Sequence, residues 1–428
     1  MQACLYAARC RTAELFHRRR LMKRFVAIGA IGLMSWTTAW AGDLQTTGSQ
    51  NFNNANTNDI RISDKDIQPN NDPNMYGVLL NSNLTGDNAD ILNSTIYSPS
   101  ADAIEINTTS GGFRGVKIIG NTLYGGEFGS SSSAGFSIGI AKGRDMTIVG
   151  NISKVSRNEA LHIEDDQENI TIGNNVFVDC MADGARILNR SAAQPVLLAG
   201  NIFVKHASSL HQGKGIYLVY DANGVLSKNV MTANRVTGFD IGLHAPSKVR
   251  FTFDNNLIED CNVAISNGNG IIEGTTFVSD CPTLLTAGNG SVTDRIVSYT
   301  TPTTILNFNG TSGYAGATLK GFAFPLDLTS VSQGYATHEM FTLPKRLAGR
   351  ITVHIINAYD QVFYSANVHW DGSTLTTTDV IKNTNGVFAS PSLIRVDANN
   401  TLALKFYVAT GRNIQTATVD FDGVYFAK

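Results

Sequence analysis

Four short stretches in the middle of the chain carry side chains able to move protons or hold an anion. EALHIED from Glu159 presents His162 with Glu164, Asp165 and Asp166 behind it, and DGARILNR from Asp183 presents Arg186 and Arg190. GIYLVY from Gly215 presents Tyr217 just after Lys214, and DIGLHA from Asp240 presents His244. Two earlier stretches, DAIEIN from Asp102 and GFSIGIA from Gly135, have the same small-apolar-x-apolar form. Aligned on that form, the outward positions read Glu105, Ser137, His162, Arg186, Tyr217 and Gly242, followed by Asn107, Gly139, Glu164, Leu188, Val219 and His244. Stacked strands lie about 4.8 Å apart, so His162 is expected beside Arg186, with Tyr217 next in line.

Such a row suits abstraction of a carbon-bound proton beside a carboxylate. Arg186 or Lys214 would neutralise the carboxylate, His162 would act as base and Tyr217 as acid. Asp183, Lys214, Arg190 and His244 are the expected substrate contacts. Glu164, Asp165 and Asp166, three acids on one turn, suit a hard cation such as calcium. The same acids allow hydrolysis instead, with Asp183 opposite Glu164 or Asp165. A plain alternative stands beside both, because acids and bases on adjacent strands also form solvated surface ion pairs.

What must position these residues is a repeat. VKIIGNTLY, MTIVGNISKV, ITIGNNVFVDC, VLLAGNIFV, GVLSKNVMT and FTFDNNLIEDC return at roughly two dozen to thirty residues, a period that marks a solenoid. Alternation within each phrase identifies strands and not helices. Aligned on the turn, Asn121, Asn151, Asn175, Asn201, Asn229 and Asn256 fall in one column. There each amide can bond its copies above and below, and the corner calls for a left-handed backbone that Asn tolerates.

This pattern resembles the right-handed parallel β-helix of the pectate-lyase-like superfamily, over roughly residues 75–300. The resemblance implies an asparagine ladder, a site on the outward wall and a polysaccharide substrate, in a fold that hosts lyases, hydrolases and binders. Neither the Gly-His-Gly of polygalacturonase-like members nor the Arg-x-Pro-x-x-Arg of pectate lyases occurs. The expected activity is cleavage of an acidic glycan by a lyase, with a hydrolase or a non-catalytic glycan-binding protein as alternatives.

Met22-Lys23-Arg24, the apolar run FVAIGAIGLM and Ala39-Trp40-Ala41 form a signal-peptide pattern with cleavage expected after Ala41, hence a secreted or periplasmic protein. Beyond it remain 26 basic against 34 acidic side chains, a net charge near −8, which argues against nucleic-acid binding. No later stretch is long and apolar enough to span a bilayer. Cys180, Cys261 and Cys281 sit at matching places in their repeats, leaving open a Cys261–Cys281 bridge or a column of buried thiols.

The domain reading is all-β: residues 42–74 a leader and cap, 75–298 the β-helix, 299–326 a linker or last irregular coils, and 327–428 an antiparallel β-sandwich. This last part is similar to the small C-terminal β-domains of phage tailspikes, which implies a homotrimer as one possible assembly.

Overall fold

The computed structural model describes residues 45–428, apart from 53–57, 70–75, 82–86, 99–100, 108–112, 127–134, 165–166, 189–195, 220–228, 247–248, 310–315, 327, 329–333, 344–345, 358–360, 384–387, 397–400, 409–413 and 427–428. The signal-peptide expectation, Arg190, Asp165 and Asp166 therefore fall outside the described residues. The compact unit considered below is Thr46–Lys428.

Between Asp87 and Asn267 each turn of the chain contributes three short strands, as in Glu168–Gly173, Val176–Cys180 and Ala185–Ile187. Every strand pairs in parallel with its copy one turn away, which makes a parallel β-helix. β-Branched and aromatic side chains fit this pleated surface, and they pile up inside it. Ile118, Ile148, Ile172, Leu198, Met231 and Phe253 form one inward column, all fully buried. Phe177 and Phe203 stack face to face in another, with ring centres 5.1 Å apart. At about 1.5–3 kcal/mol for each large apolar side chain removed from water, these columns dominate the favourable side of folding.

The asparagine column is real, with one member exchanged. Nδ2 donates to the next Oδ1 at 2.9–3.0 Å from Asn121 to Asn151, Asn175, Asn201, Asn234 and Asn256. Each of these oxygens also accepts a backbone N–H from the rung before it. Asn234, not Asn229, holds the fifth place; the Asn229 side chain instead accepts from the Val196 amide. The left-handed residue is the one before each ladder asparagine, namely Gly120, Gly150, Asn174, Gly200, Ala233 and Asn255. Because alanine occupies that place before Asn234, where glycine or asparagine stands elsewhere, the turn was hard to recognise.

Cys180, Cys261 and Cys281 are buried free thiols. Burial pushes Cys180 up to about 12, consistent with an inert structural thiol.

Residues 299–326 hold two regular strands. Thr304–Phe308 adds a rung to the sheet that carries His162. Thr318–Leu326 pairs in parallel with Val292–Ser298 on one side and antiparallel with Ile414–Phe426 on the other. From it an antiparallel sheet continues through Arg346–Asn357, Gln361–Trp370 and Leu375–Asn383. A three-stranded sheet of Gly334–Thr342, Thr401–Val408 and Phe388–Val396 faces it. Buried Phe322, Phe341, Tyr425, Trp370 and Phe406 fill the space of this small sandwich.

Candidate active site

The wall bearing the chemistry is the sheet of Ile104–Ile106, Ile138–Ile140, Leu161–Ile163, Ala185–Ile187, Lys214–Leu218 and Ile241–Ala245. Its register puts Glu105, Gly139, His162, Arg186, Tyr217 and His244 in one outward row. Two places differ from the sequence alignment: Gly139 replaces Ser137 and His244 replaces Gly242. A slip of two residues leaves the inward and outward faces unchanged, so alternation alone could not detect it.

His162 sits between two carboxylates. Its Nε2 is 2.7 Å from Glu164 Oε1 and its Nδ1 is 3.6 Å from Glu159 Oε2, while its ring stacks on Phe136 at 4.2 Å. Burial disfavours the imidazolium, but the two carboxylates outweigh it and hold His162 above its ordinary value of 6.5. Glu159 also faces Arg186, at 3.6 Å. Burial alone would raise the Glu159 carboxyl, yet the His162 ring, the Glu159 backbone amide and Arg186 bring it below its usual range.

On the opposite side of Gly139 lies a second acid pair. Asp102 is 3% exposed, and its Oδ1 accepts the Gly135 and Phe136 amides at 2.7 Å each. Beside it, burial and the charge of Asp102 push the Glu105 carboxyl well above its ordinary 4.5. Two close carboxyls in a dry place share a proton, and Asp102, with two backbone donors, is the better anion. Glu105 is therefore the protonated member. These groups, with Glu164 and Arg186, line an open cleft of about 500 Å³ that Tyr76 also borders.

Of the expected site, the structure brings His162, Glu164 and Arg186 into this cleft. Tyr217 and Lys214 lie one rung beyond Arg186 and His244 two, and together with Asp183, which heads the Arg186 rung, they form a second cluster. There the Lys214 ammonium lies 4.6 Å from the Tyr217 ring centre and 3.9 Å from Asp183, and the Tyr217 and His244 rings are 5.2 Å apart. Burial and nearby Lys214 lower His244 to about 4, which keeps it neutral. Of the calcium set only Glu164 is described, and it is engaged with His162. Among the described residues no group of three or more His, Cys, Asp or Glu is placed to hold a metal ion.

Asp102, Glu105 and Glu159 were missing from the site read from sequence. A signal for them existed: an acid stands three residues before the outward side chain in Asp102/Glu105, Glu159/His162 and Asp183/Arg186.

The His162 clamp predicts a pH effect on stability. A group whose pKa rises on folding adds stability that is complete below its unfolded value, near 6.5, and is lost as pH climbs through the folded value. Denaturant unfolding of wild type and His162→Gln across pH 5.5 to 9 is expected to show a gap in stability that is widest at the acid end and narrows above about 6.5. A gap independent of pH would mean that the ring is neutral.

A family profile described as right handed beta helix region matches residues 51–223, which include the cleft and the first four asparagines of the ladder. The fold is thus a right-handed parallel β-helix. No curated protein matches. Among solved structures the chain is similar to the tailspike gp61 of Pseudomonas phage phi297, at 10% identity and a TM-score of 0.40, covering 90% of this chain and 61% of that one. It therefore spans a little over three-fifths of that tailspike. It is also similar to the tailspike gp49 of Acinetobacter baumannii bacteriophage Fri1, described as a capsular polysaccharide depolymerase, at 12% identity, a TM-score of 0.29 and 87% and 81% coverage. A third likeness, to ORF18 of Geobacillus virus E2, has 13% identity, a TM-score of 0.27 and 86% and 77% coverage. Among the described residues no helix is long and apolar enough to cross a membrane.

Proposed function

We propose that the cleft cleaves a glycan by hydrolysis, in a secreted enzyme, with Glu105 as general acid and Glu164 as the carboxylate that activates water. The observation carrying this reading is the Glu105 carboxyl, packed beside Asp102 and pushed well above its usual range by burial and that neighbour, across Gly139 from an ionic cluster. Glycoside hydrolysis needs such a division, one carboxyl kept as an acid and another kept as a base. In the reaction Glu105 gives its proton to the glycosidic oxygen as the bond to the anomeric carbon breaks. Glu164, anchored through Oε1 by His162 Nε2, takes a proton from the water that attacks that carbon. Arg186 is half-buried at the edge of the cleft and can donate to sugar hydroxyls.

Elimination by the row His162, Arg186 and Tyr217 fits this geometry less well. Both ring nitrogens of His162 face carboxylates, so neither is placed to take a proton from carbon. Tyr217 lies beyond Arg186, against Lys214 and His244. Calcium at Glu164, Asp165 and Asp166 belongs to the elimination reading, since it would neutralise a uronate.

Incubation with a panel of neutral and acidic polysaccharides tests the proposal. New reducing ends without the ultraviolet absorbance of an unsaturated sugar, and undiminished by a calcium chelator, are expected. Absorbance that depends on calcium would restore elimination, and tight binding with no change in polymer length would identify a non-catalytic scaffold.

A further inference from the structure

We infer that Gly139 is a positioning residue, an empty place in the outward row that serves as the slot for the Glu105 carboxyl. This inference rests on the reading of Glu105 as the acid. Glu105, His162, Arg186, Tyr217 and His244 all project side chains from this row, and Gly139 alone among the six projects none.

Nothing about the backbone calls for glycine there. Gly139 lies in the middle of the regular strand Ile138–Ile140 and is not among the glycines with positive φ. A Cβ at this position would come 2.0 Å from Glu105 Oε2, 3.2 Å from its Cδ and 3.1 Å from Phe136 Cδ2, all of them side-chain atoms. Gly125 and Gly184 differ, since a Cβ there would strike the carbonyl oxygens of Phe136 at 2.2 Å and Gly215 at 2.5 Å. Those two glycines let backbones approach one another. Gly139 instead makes room for one carboxyl, at the far end of a side chain free to swing elsewhere.

The slot explains how Glu105 works across rungs. His162 and Glu105 stand two rungs apart, about 10 Å at the backbone, too far for one to affect a bond held by the other. Leaning over Gly139 carries the carboxyl toward His162 and Glu164, while Asp102 and the Phe136 ring close around it. A methyl group at 139 would turn the carboxyl out toward water and away from Asp102.

Gly139→Ala tests this with two independent readouts. On the cleaved glycan, kcat is expected to fall at least about a hundredfold with KM changed less than about threefold, the loss typical of a misplaced general acid. The alkaline limb of the pH profile should move to lower pH. Gly139→Ala in a Glu105→Gln background should cause no further loss. Separately from any activity, carbon NMR of labelled glutamate carboxyls should show the Glu105 midpoint moving down toward 4.5 in Gly139→Ala. An unmoved midpoint overturns the inference whatever the enzyme does. Full activity in Glu105→Gln would instead remove the acid from Glu105 and leave the NMR result to decide the slot. To separate misfolding, Glu105→Ala/Gly139→Ala should melt with Glu105→Ala, because the carboxyl that the methyl group would strike is gone; a much lower melting point in the double variant would mean that Gly139 serves the fold.

Discussion

Glu105→Gln is expected to lower turnover of the cleaved glycan by roughly 10²–10⁴-fold while leaving its binding almost unchanged. The amide keeps the size and much of the hydrogen bonding of the protonated acid but has no proton to give to a leaving oxygen. The effect belongs in kcat and kcat/KM equally, since the proton moves only in the transition state. Asp102 holds the acid in that state. Its carboxylate is fixed by two backbone amides and cannot drift away from Glu105. The measurement is steady-state kinetics beside calorimetric binding of the same glycan to both proteins. A Glu105→Gln protein that binds and does not cut identifies the acid, whereas one that cuts at the wild-type rate places the chemistry elsewhere on the wall.

The second large effect concerns the scaffold. Asn175→Ala is expected to cost about 4 kcal/mol of stability, read as a lower denaturant midpoint at unchanged slope. Asn175 Oδ1 accepts both the backbone amide and the side-chain amide of Asn151, and its Nδ2 donates to Ile148 O and to Asn201 Oδ1. It is fully buried, so no water replaces what alanine removes. Alanine strips the Asn151 backbone N–H and one hydrogen of its Nδ2 of their acceptor and takes a donor from Ile148 O, in a dry interior, at about 1–3 kcal/mol each before relaxation. Asn262 offers the contrast. It is exposed, with one bond to Asp240, and Asn262→Ala should change stability by less than about 0.5 kcal/mol. Comparable losses at the two sites would mean that the ladder is ornament on a core held by its apolar columns.

Periodicity made the coil legible because the physics behind it is local. Each rung must alternate apolar and polar residues and must turn at a residue that accepts a left-handed backbone, and both demands leave marks in the residues themselves. Rank within a column is a different matter. Asn234 escaped because Ala233 fills the corner and because it lies 33 residues after Asn201, so spacing favoured Asn229. Gly139 escaped because Ser137 two places earlier satisfies the same alternation.

Half of the cleft was visible for a similar reason. His162, Glu164 and Arg186 share a face by register, and register follows from the repeat. Glu105 was seen in the row but not in a role, because its character comes from burial against Asp102 and from the bare strand at Gly139. No spacing in a single chain reports desolvation. Tyr217 and Lys214 had the residue types of a site but pack against each other and His244, one neighbour beyond the cleft.

Cleavage in water enriched in heavy oxygen, followed by mass spectrometry of the shortened glycans, tests the hydrolytic cleft most directly. One heavy oxygen in each new reducing end with wild type, and at least about a hundredfold fewer such ends with Glu105→Gln in the same time, is the predicted result. Unlabelled, unsaturated ends, or labelled ends made equally well by Glu105→Gln, would contradict it.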